Sequence, residues 1–229
     1  MAAVLKRIKI ENGTTCILIT ECVCVICVLA LFSLDVGLAN IFSWHPIFMT
    51  TGFVLLMSEG LLAYYRGDLV GQPRSKSRGN HAVLMLFSFG CVAFAFASIY
   101  IAHAKTHHSQ VGHPDGPLLR YVHVLFGYFV IICIVAQVLV GIMKKLDIVK
   151  LKLHGRVGPW IYGFGMSNIS MGLVMWEGKT VALQYSTAVL VAFVAAAVFV
   201  NFVYSRNSRR LVTSELEKGE SIELIEGDR

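Results

Sequence analysis

Ser43-Trp44-His45-Pro46 stands at the mouth of an apolar run that extends from Ile41 to Tyr65. Hydrocarbon does not solvate an imidazole, so a histidine at that place calls for a partner. Pro46 suits the first turn of a helix, where its missing N–H would have had no acceptor within the helix. His45 is therefore expected about one turn inside a membrane-spanning helix, near the interface. A lone interfacial histidine is usually just a satisfied polar group. The same placement recurs in three of the helices that follow, and that recurrence decides the fold.

The chain has 229 residues, 56% of them hydrophobic, and its mean hydropathy is +0.67. Soluble domains average about 45–50% apolar, so an all-α membrane protein is expected. Six runs are long enough to cross about 30 Å of hydrocarbon: residues 16–38, 41–65, 81–102, 121–143, 155–176 and 181–204. They form one six-helix domain over 16–204, preceded by a cytosolic amino terminus, 1–15. A polar cytosolic tail, 205–229, follows and is expected to be disordered.

Net charge is +6 and the pI about 9.1, but Lys and Arg gather at helix ends and not on one basic face. Nucleic acid is not an expected partner; the lipid bilayer is. Three of these residues precede residue 16, four lie in 66–80, five in 144–156 and five in the tail. Lys105, Arg120 and Lys179 lie in the two remaining loops. The positive-inside rule then places both termini in the cytosol. Lys6, Arg7 and Lys9 flank a run longer than a usual signal-peptide core, so an anchored first helix is expected. Asn12-Gly13-Thr14, a glycosylation acceptor, should stay bare on that side.

Cys16, Cys22, Cys24, Cys27, Cys91 and Cys133 all fall within spans. On a helix Cys24 faces away from Cys22 and Cys27. These read as small buried apolar residues, with no disulfide framework.

His45, His81, His123 and His154 each stand near the amino-terminal end of one of helices two to five. Successive spans alternate in direction, so the four form two pairs. His45 and His123 share the outer side; His81 and His154 share the cytosolic side. Two imidazoles from facing helices fill both axial positions of a haem iron, which leaves it one-electron transfer and no open site. Gly127 follows His123, and Gly158 follows His154, each at i+4 and so on the same helix face. A missing side chain there lets a flat ring approach the backbone. The expected architecture is a four-helix core, helices two to five, holding two b-type haems per chain. Their irons would lie roughly 20 Å apart if each ligand sits about a turn inside its interface. Glu59, 14 residues beyond His45, is a second costly group inside a span and is expected to face the bundle interior.

From Ile41 to Tyr204 the chain resembles the cytochrome b561 family of ascorbate-dependent transmembrane electron carriers. The resemblance rests on Trp44-His45-Pro46, on Glu59-Gly-Leu-Leu-Ala-Tyr-Tyr-Arg66, and on His81, His123 and His154 with Gly158. Six helices without fused domains, and Lys150-Leu-Lys152-Leu-His154, are similar to its short ferrireductase subfamily. The resemblance implies cytosolic ascorbate as donor and an outer ferric chelate or monodehydroascorbate as acceptor. Lys76, Arg78, Lys150 and Lys152, near the cytosolic pair, are then candidates for the ascorbate side. At the fourth-helix ligand the chain has Tyr121-Val-His123-Val-Leu where the family often has Ser-Leu-His-Ser-Trp. A homodimer is compatible with this reading.

The competing reading is a transporter for a metal ion or protons, without haem, collecting through His103, His107, His108 and His113. Against it, only Glu21 and Glu59 supply carboxylates within the spans. In the tail, Glu220-Ser-Ile-Glu-Leu224-Ile225 has the shape of an acidic dileucine sorting signal. It points to endosomal or other vesicle membranes before plasma membrane or endoplasmic reticulum.

Overall fold

The computed structural model describes residues 2–69, 72–106, 118–149 and 153–176, and these are helical with short connections. The first helix, α1 (Ala2–Asp35), ends in a tight turn. There Val36 N–H and Gly37 N–H both donate to the Phe32 carbonyl, at 3.2 and 3.1 Å. Gly37 has φ of 83°, a conformation that a side chain would strain.

A 3₁₀ turn (Ile41–Ser43) follows, with the Asn40 side chain accepting from Phe42 N–H at 3.0 Å. The second crossing is one continuous rod in three parts: α2 (Trp44–Thr50), a π-helical segment (Thr51–Met57) and α3 (Ser58–Leu69). Pro46 occupies the first turn of α2, as its missing N–H dictates. At the π segment the rod runs close against the next helix. A Cβ on Gly52 would stand 3.2 Å from Cys91 Cβ and from the Ser88 carbonyl oxygen. Ser88 Oγ in turn donates to the Gly52 carbonyl at 2.8 Å. Widened turns of this kind free a carbonyl for such a partner.

Three further helices complete the described chain: α4 (Arg74–Lys105), α5 (Leu118–Lys145) and α6 (Leu153–Val174). The sequence reading made residues 66–80 a loop. Instead α3 continues to Leu69 and α4 starts at Arg74, directly after Pro73. The basic residues there are good helix formers, and proline sets the helix start without needing a donor. The first helix likewise reaches back to Ala2, well ahead of residue 16.

Packing divides the bundle into two hairpins. The α2–π–α3 rod lies along α4, α5 lies along α6, and the hairpins meet where α6 touches α2 and the π segment. α1 packs on α2 and the π segment from outside this four-helix core. Phe53, Val54, Val92, Val130, Ile134, Ile161 and Met166 fill the centre. By contrast Leu125, Phe129, Ile132 and Leu139 form an exposed stripe on α5. Apolar inside and apolar outside is the pattern of a bundle solvated by lipid, where every backbone group bonds within its own helix.

Four helical stretches are long and apolar enough to cross a membrane: Thr15–Asp35, Ile41–Tyr64, Arg74–Lys105 and Leu118–Lys145. α6 has the length, with 22 residues. His154, Arg156, Ser167, Asn168 and Ser170 make it more polar than the others. Residues 181–204, read from the sequence as a sixth span, and the tail lie outside the described residues.

Candidate metal centre

The four histidines fall at two ends of the core. His45, on α2, and His123, in the second turn of α5, belong to the end carrying the α2 start and the α6 finish. His154, second residue of α6, and His81 belong to the opposite end. His81 is not at a helix start, because α4 begins seven residues earlier, at Arg74.

Three of the four rings are braced by a backbone carbonyl of the helix they lie beside. His45 Nδ1 donates to Ala95 O at 3.0 Å, from α2 to α4. His81 Nδ1 donates to Gly60 O at 2.8 Å, back from α4 to α3. His123 Nδ1 donates to Asn168 O at 3.0 Å, from α5 to α6. The fourth ring, His154, faces the Gln137 backbone carbonyl, from α6 back to α5, although its Nδ1 falls short of full hydrogen-bond geometry. The bracing is thus reciprocal between the α2–α3 rod and α4, and runs from α5 to α6 in the second hairpin.

The chemical consequence lies in the tautomer. A carbonyl oxygen only accepts, so the proton of each such neutral imidazole sits on Nδ1 and the lone pair on Nε2. Nε2 is the atom that can coordinate a metal, and the Nδ1 bond fixes the ring's direction.

His81 and His154 come together with ring centres 6.1 Å apart and ring planes at 90°. A coordinated imidazole nitrogen lies about 2 Å from a metal and its ring centre about 1 Å further, so two axial rings on one iron have centres about 6 Å apart. The observed separation fits. Gly141 lies beside His154, with its virtual Cβ at 3.4 Å from Cε1, and nothing stands within 4 Å of a Cβ on Gly158. At the other end, His45 and His123 both line a cavity of about 740 Å³, with Phe53, Gly127, Asn168 and Gly172 among its walls. That volume is in the range of a site for a sizeable, mostly apolar ligand. Gly172 is required there: a Cβ would meet His123 Cε1 at 2.9 Å. Among the described residues no three His, Cys, Asp or Glu side chains gather as a site for a bare ion. Histidines in twos suit a porphyrin iron, which brings four ligands of its own, and these residues fit a haem at each end.

The candidate ascorbate-side residues divide. Lys76 and Arg78 are exposed on the first turns of α4, at the end carrying His81. Lys150 and Lys152 lie outside the described residues. Of the histidine-rich loop, His103 stands in the last turn of α4, while His107, His108 and His113 are also outside. A second cavity, of about 350 Å³, opens between Asn40, Ile41, Lys105 and Thr106. Phe42, His103 and Arg120 line this cavity and the larger one alike.

Several residues that shape the site were not singled out in the sequence. Ala95 and Gly60 contribute only carbonyls, and nothing in their identity marks them. Asn168 and Gln137 did carry a signal, as amides placed in apolar helices. Gly165 is another: a Cβ on it would run into the Phe53 ring.

The profile of the family described as eukaryotic cytochrome b561 matches residues 44–179, which takes in all four histidines. The lysosomal membrane ascorbate-dependent ferrireductase of Mus musculus is 26% identical over 141 residues, covering 48% of this chain and 58% of its own. The bovine protein of the same name, from Bos taurus, is also 26% identical, with 53% of its length covered. A transmembrane reductase of Homo sapiens is 31% identical over 83 residues, covering 32% of this chain and 37% of its own. The chain thus spans about half the length, or less, of these curated relatives.

Proposed function

The chain belongs to the eukaryotic cytochrome b561 family, and from that premise we propose that it carries single electrons across a membrane from ascorbate to an acceptor on the far side. In this reading each histidine pair holds one haem b: His45 with His123 on the outer side, His81 with His154 on the cytosolic side. The observation that carries it is the bracing of three of the four rings by backbone carbonyls, together with the 6.1 Å between His81 and His154.

A bis-imidazole haem, when bound, supplies reversible one-electron chemistry at an iron with no vacant position. The residues of the chain do the rest. The Ala95, Gly60 and Asn168 carbonyls hold the protons of three rings on Nδ1 and so leave Nε2 free to coordinate. Rigid helices on both sides keep the four rings in place in either redox state, so little has to reorganise when charge moves. The apolar core around Phe53, Val130 and Met166 keeps water out of the path.

Charge supports the direction of transfer. Lys76 and Arg78 line the end where anionic ascorbate would approach, the end that the positive-inside rule assigns to the cytosol. Lys105 and Arg120 line the smaller cavity at the other end. That cavity shares Phe42 and Arg120 with the His45–His123 cavity, which suits an anionic acceptor such as a ferric chelate or monodehydroascorbate. A vesicle or endosomal membrane is the proposed address, and a homodimer is compatible with it.

The test is the absorption spectrum of the purified protein. A reduced spectrum of six-coordinate bis-imidazole haem, obtained with ascorbate alone, is the expected result. Colourless protein from haem-supplied cells would rule the reading out and return the histidine-rich loop, as an ion collector, to first place.

A further inference from the structure

Away from the histidines, the described chain buries a chain of ionisable groups that electron transfer does not use. Glu21, on α1, is 1% exposed. It accepts a short hydrogen bond from Ser58 Oγ, which is itself buried. Glu59, next in the chain to Ser58, lies within electrostatic reach of Glu21. Glu59 is gripped by Arg66 in a fork, with Nη1 to Oε2 at 2.5 Å and Nη2 to Oε1 at 2.6 Å. Tyr162, from α6, approaches Ser58 Oγ with its hydroxyl at 3.4 Å.

Two carboxylates buried side by side repel when both are ionised, and a buried acid without a cation of its own is held more cheaply with its proton. Charge counting agrees. Arg66 balances one carboxylate, and a second net negative charge inside the bilayer would be unsupported. The other titratable groups facing the pair are Tyr162 on α6 and Cys24, one turn along α1, and neither brings a positive charge.

Position gives the pair a role. Glu59 directly precedes Gly60, whose carbonyl accepts the hydrogen bond from His81 Nδ1. The cluster is closed at Glu21, yet the Glu59 and Arg66 side chains are 11% and 32% exposed. A proton can therefore enter from the Arg66 side. Resting on the electron-transfer reading above, we propose that Glu21 and Glu59 are a proton-storing pair coupled to the cytosolic haem. In the resting protein one proton is shared between the two carboxyls. When one electron reduces the ferric iron held by His81 and His154 to ferrous, the remaining carboxylate takes one proton from cytosolic water and becomes a carboxylic acid. The negative charge arriving on the haem is thereby offset within the same end of the bundle.

Two measurements on the full-length protein test this. The first is infrared spectroscopy of the wild type at neutral pH, in which a protonated-carboxyl stretch should appear, shift in D₂O and vanish in Glu21→Gln. It needs neither haem nor a variant to fail, since its absence from the wild type overturns the shared proton. The second is potentiometric titration across pH, the cytosolic haem being identified as the one lost in His81→Ala. Reduction of that haem should become up to tenfold harder per pH unit in the wild type, and this dependence should flatten in Glu21→Gln. An unchanged slope in Glu21→Gln overturns the coupling. Wild type that binds no haem overturns the electron-transfer reading and the coupling with it, while the infrared band would still be expected from the pair itself.

Discussion

Gly172 is the residue that lets His123 lie where it does. The His123 ring bonds to the Asn168 carbonyl, one turn earlier on α6, and its Cε1 would be 2.9 Å from a Cβ on Gly172. Real Cβ atoms do not come that close, so any side chain there must push the ring away. Gly172→Ala should therefore cost about 1–3 kcal/mol in overpacking and disturb the haem proposed at His45 and His123. Gly141→Ala is the control, because its Cβ would sit 3.4 Å from His154 Cε1, an easier distance to absorb. Optical and electron paramagnetic spectra of both variants decide it; equal perturbation would show that the close approach at Gly172 is unimportant.

The pairing of the histidines predicts a loss pattern. His45→Ala or His123→Ala should lower haem content to about one per chain and spare the His81–His154 centre. His81→Ala or His154→Ala should do the reverse. His103→Ala should leave both haems in place, since His103 lines the cavity wall and is not one of the four paired histidines. Haem-to-protein ratios with redox titration give the answer, and a haem lost from His103→Ala would break the assignment.

Much of this was legible in the chain because polar groups in apolar runs are conspicuous. His45, His81, His123 and His154 declared themselves by their cost in hydrocarbon, and alternating helix direction sorted them into ends. Their partners could not be read the same way. Every residue has a carbonyl, and which one faces an imidazole depends on helix register, so Ala95 and Gly60 leave no trace in the sequence. The π segment at Thr51–Met57 was hidden for a similar reason: it answers to the approach of α4 at Ser88 and not to local propensity. Basic residues misled at 74–80, where charge at the membrane edge reads as loop although Arg and Lys extend a helix well.

Gly158 offers a test of the porphyrin's place that is independent of ligation. No protein atom lies within 4 Å of a Cβ at that position. Gly158→Leu should therefore leave the helix bundle's thermal stability within about 1 kcal/mol of wild type. If a porphyrin rests against that face, haem loading at the His81–His154 site should fall sharply. Circular dichroism melts beside haem quantitation separate the two effects, and full loading would remove Gly158 from the cradle.

The packing of Phe53 against α6 predicts a stability defect where haem is not the first readout. Phe53 is buried in the central core and lines the larger cavity, and its ring occupies the space a side chain at Gly165 would need. Gly165→Ala should destabilise the detergent-solubilised protein by about 1–3 kcal/mol, as insertion into a filled core does. Gly165→Ala combined with Phe53→Leu should recover part of that loss, because the shorter side chain vacates the contested volume. Absence of any rescue in the double variant would mean that the two residues do not compete for the same space.

The last prediction concerns the two faces. Lys76 and Arg78 are exposed at the end carrying His81, and Arg120 borders the smaller cavity at the other. Exposed charges of this kind act weakly, on the order of 0.2–1 kcal/mol each. Reversing both, as Lys76→Glu with Arg78→Glu, should raise the KM for ascorbate a few-fold, with haem content and reoxidation by ferric chelate unchanged. Arg120→Glu should leave reduction by ascorbate intact and slow reoxidation by an anionic ferric chelate. The two effects should shrink as salt is raised, because screening removes the field that attracts either anion. Vesicles loaded with ascorbate and exposed to chelate outside measure both half-reactions. If Lys76→Glu/Arg78→Glu slows reoxidation and Arg120→Glu slows reduction, donor and acceptor faces must be exchanged, and the charge-based orientation of the bundle with them.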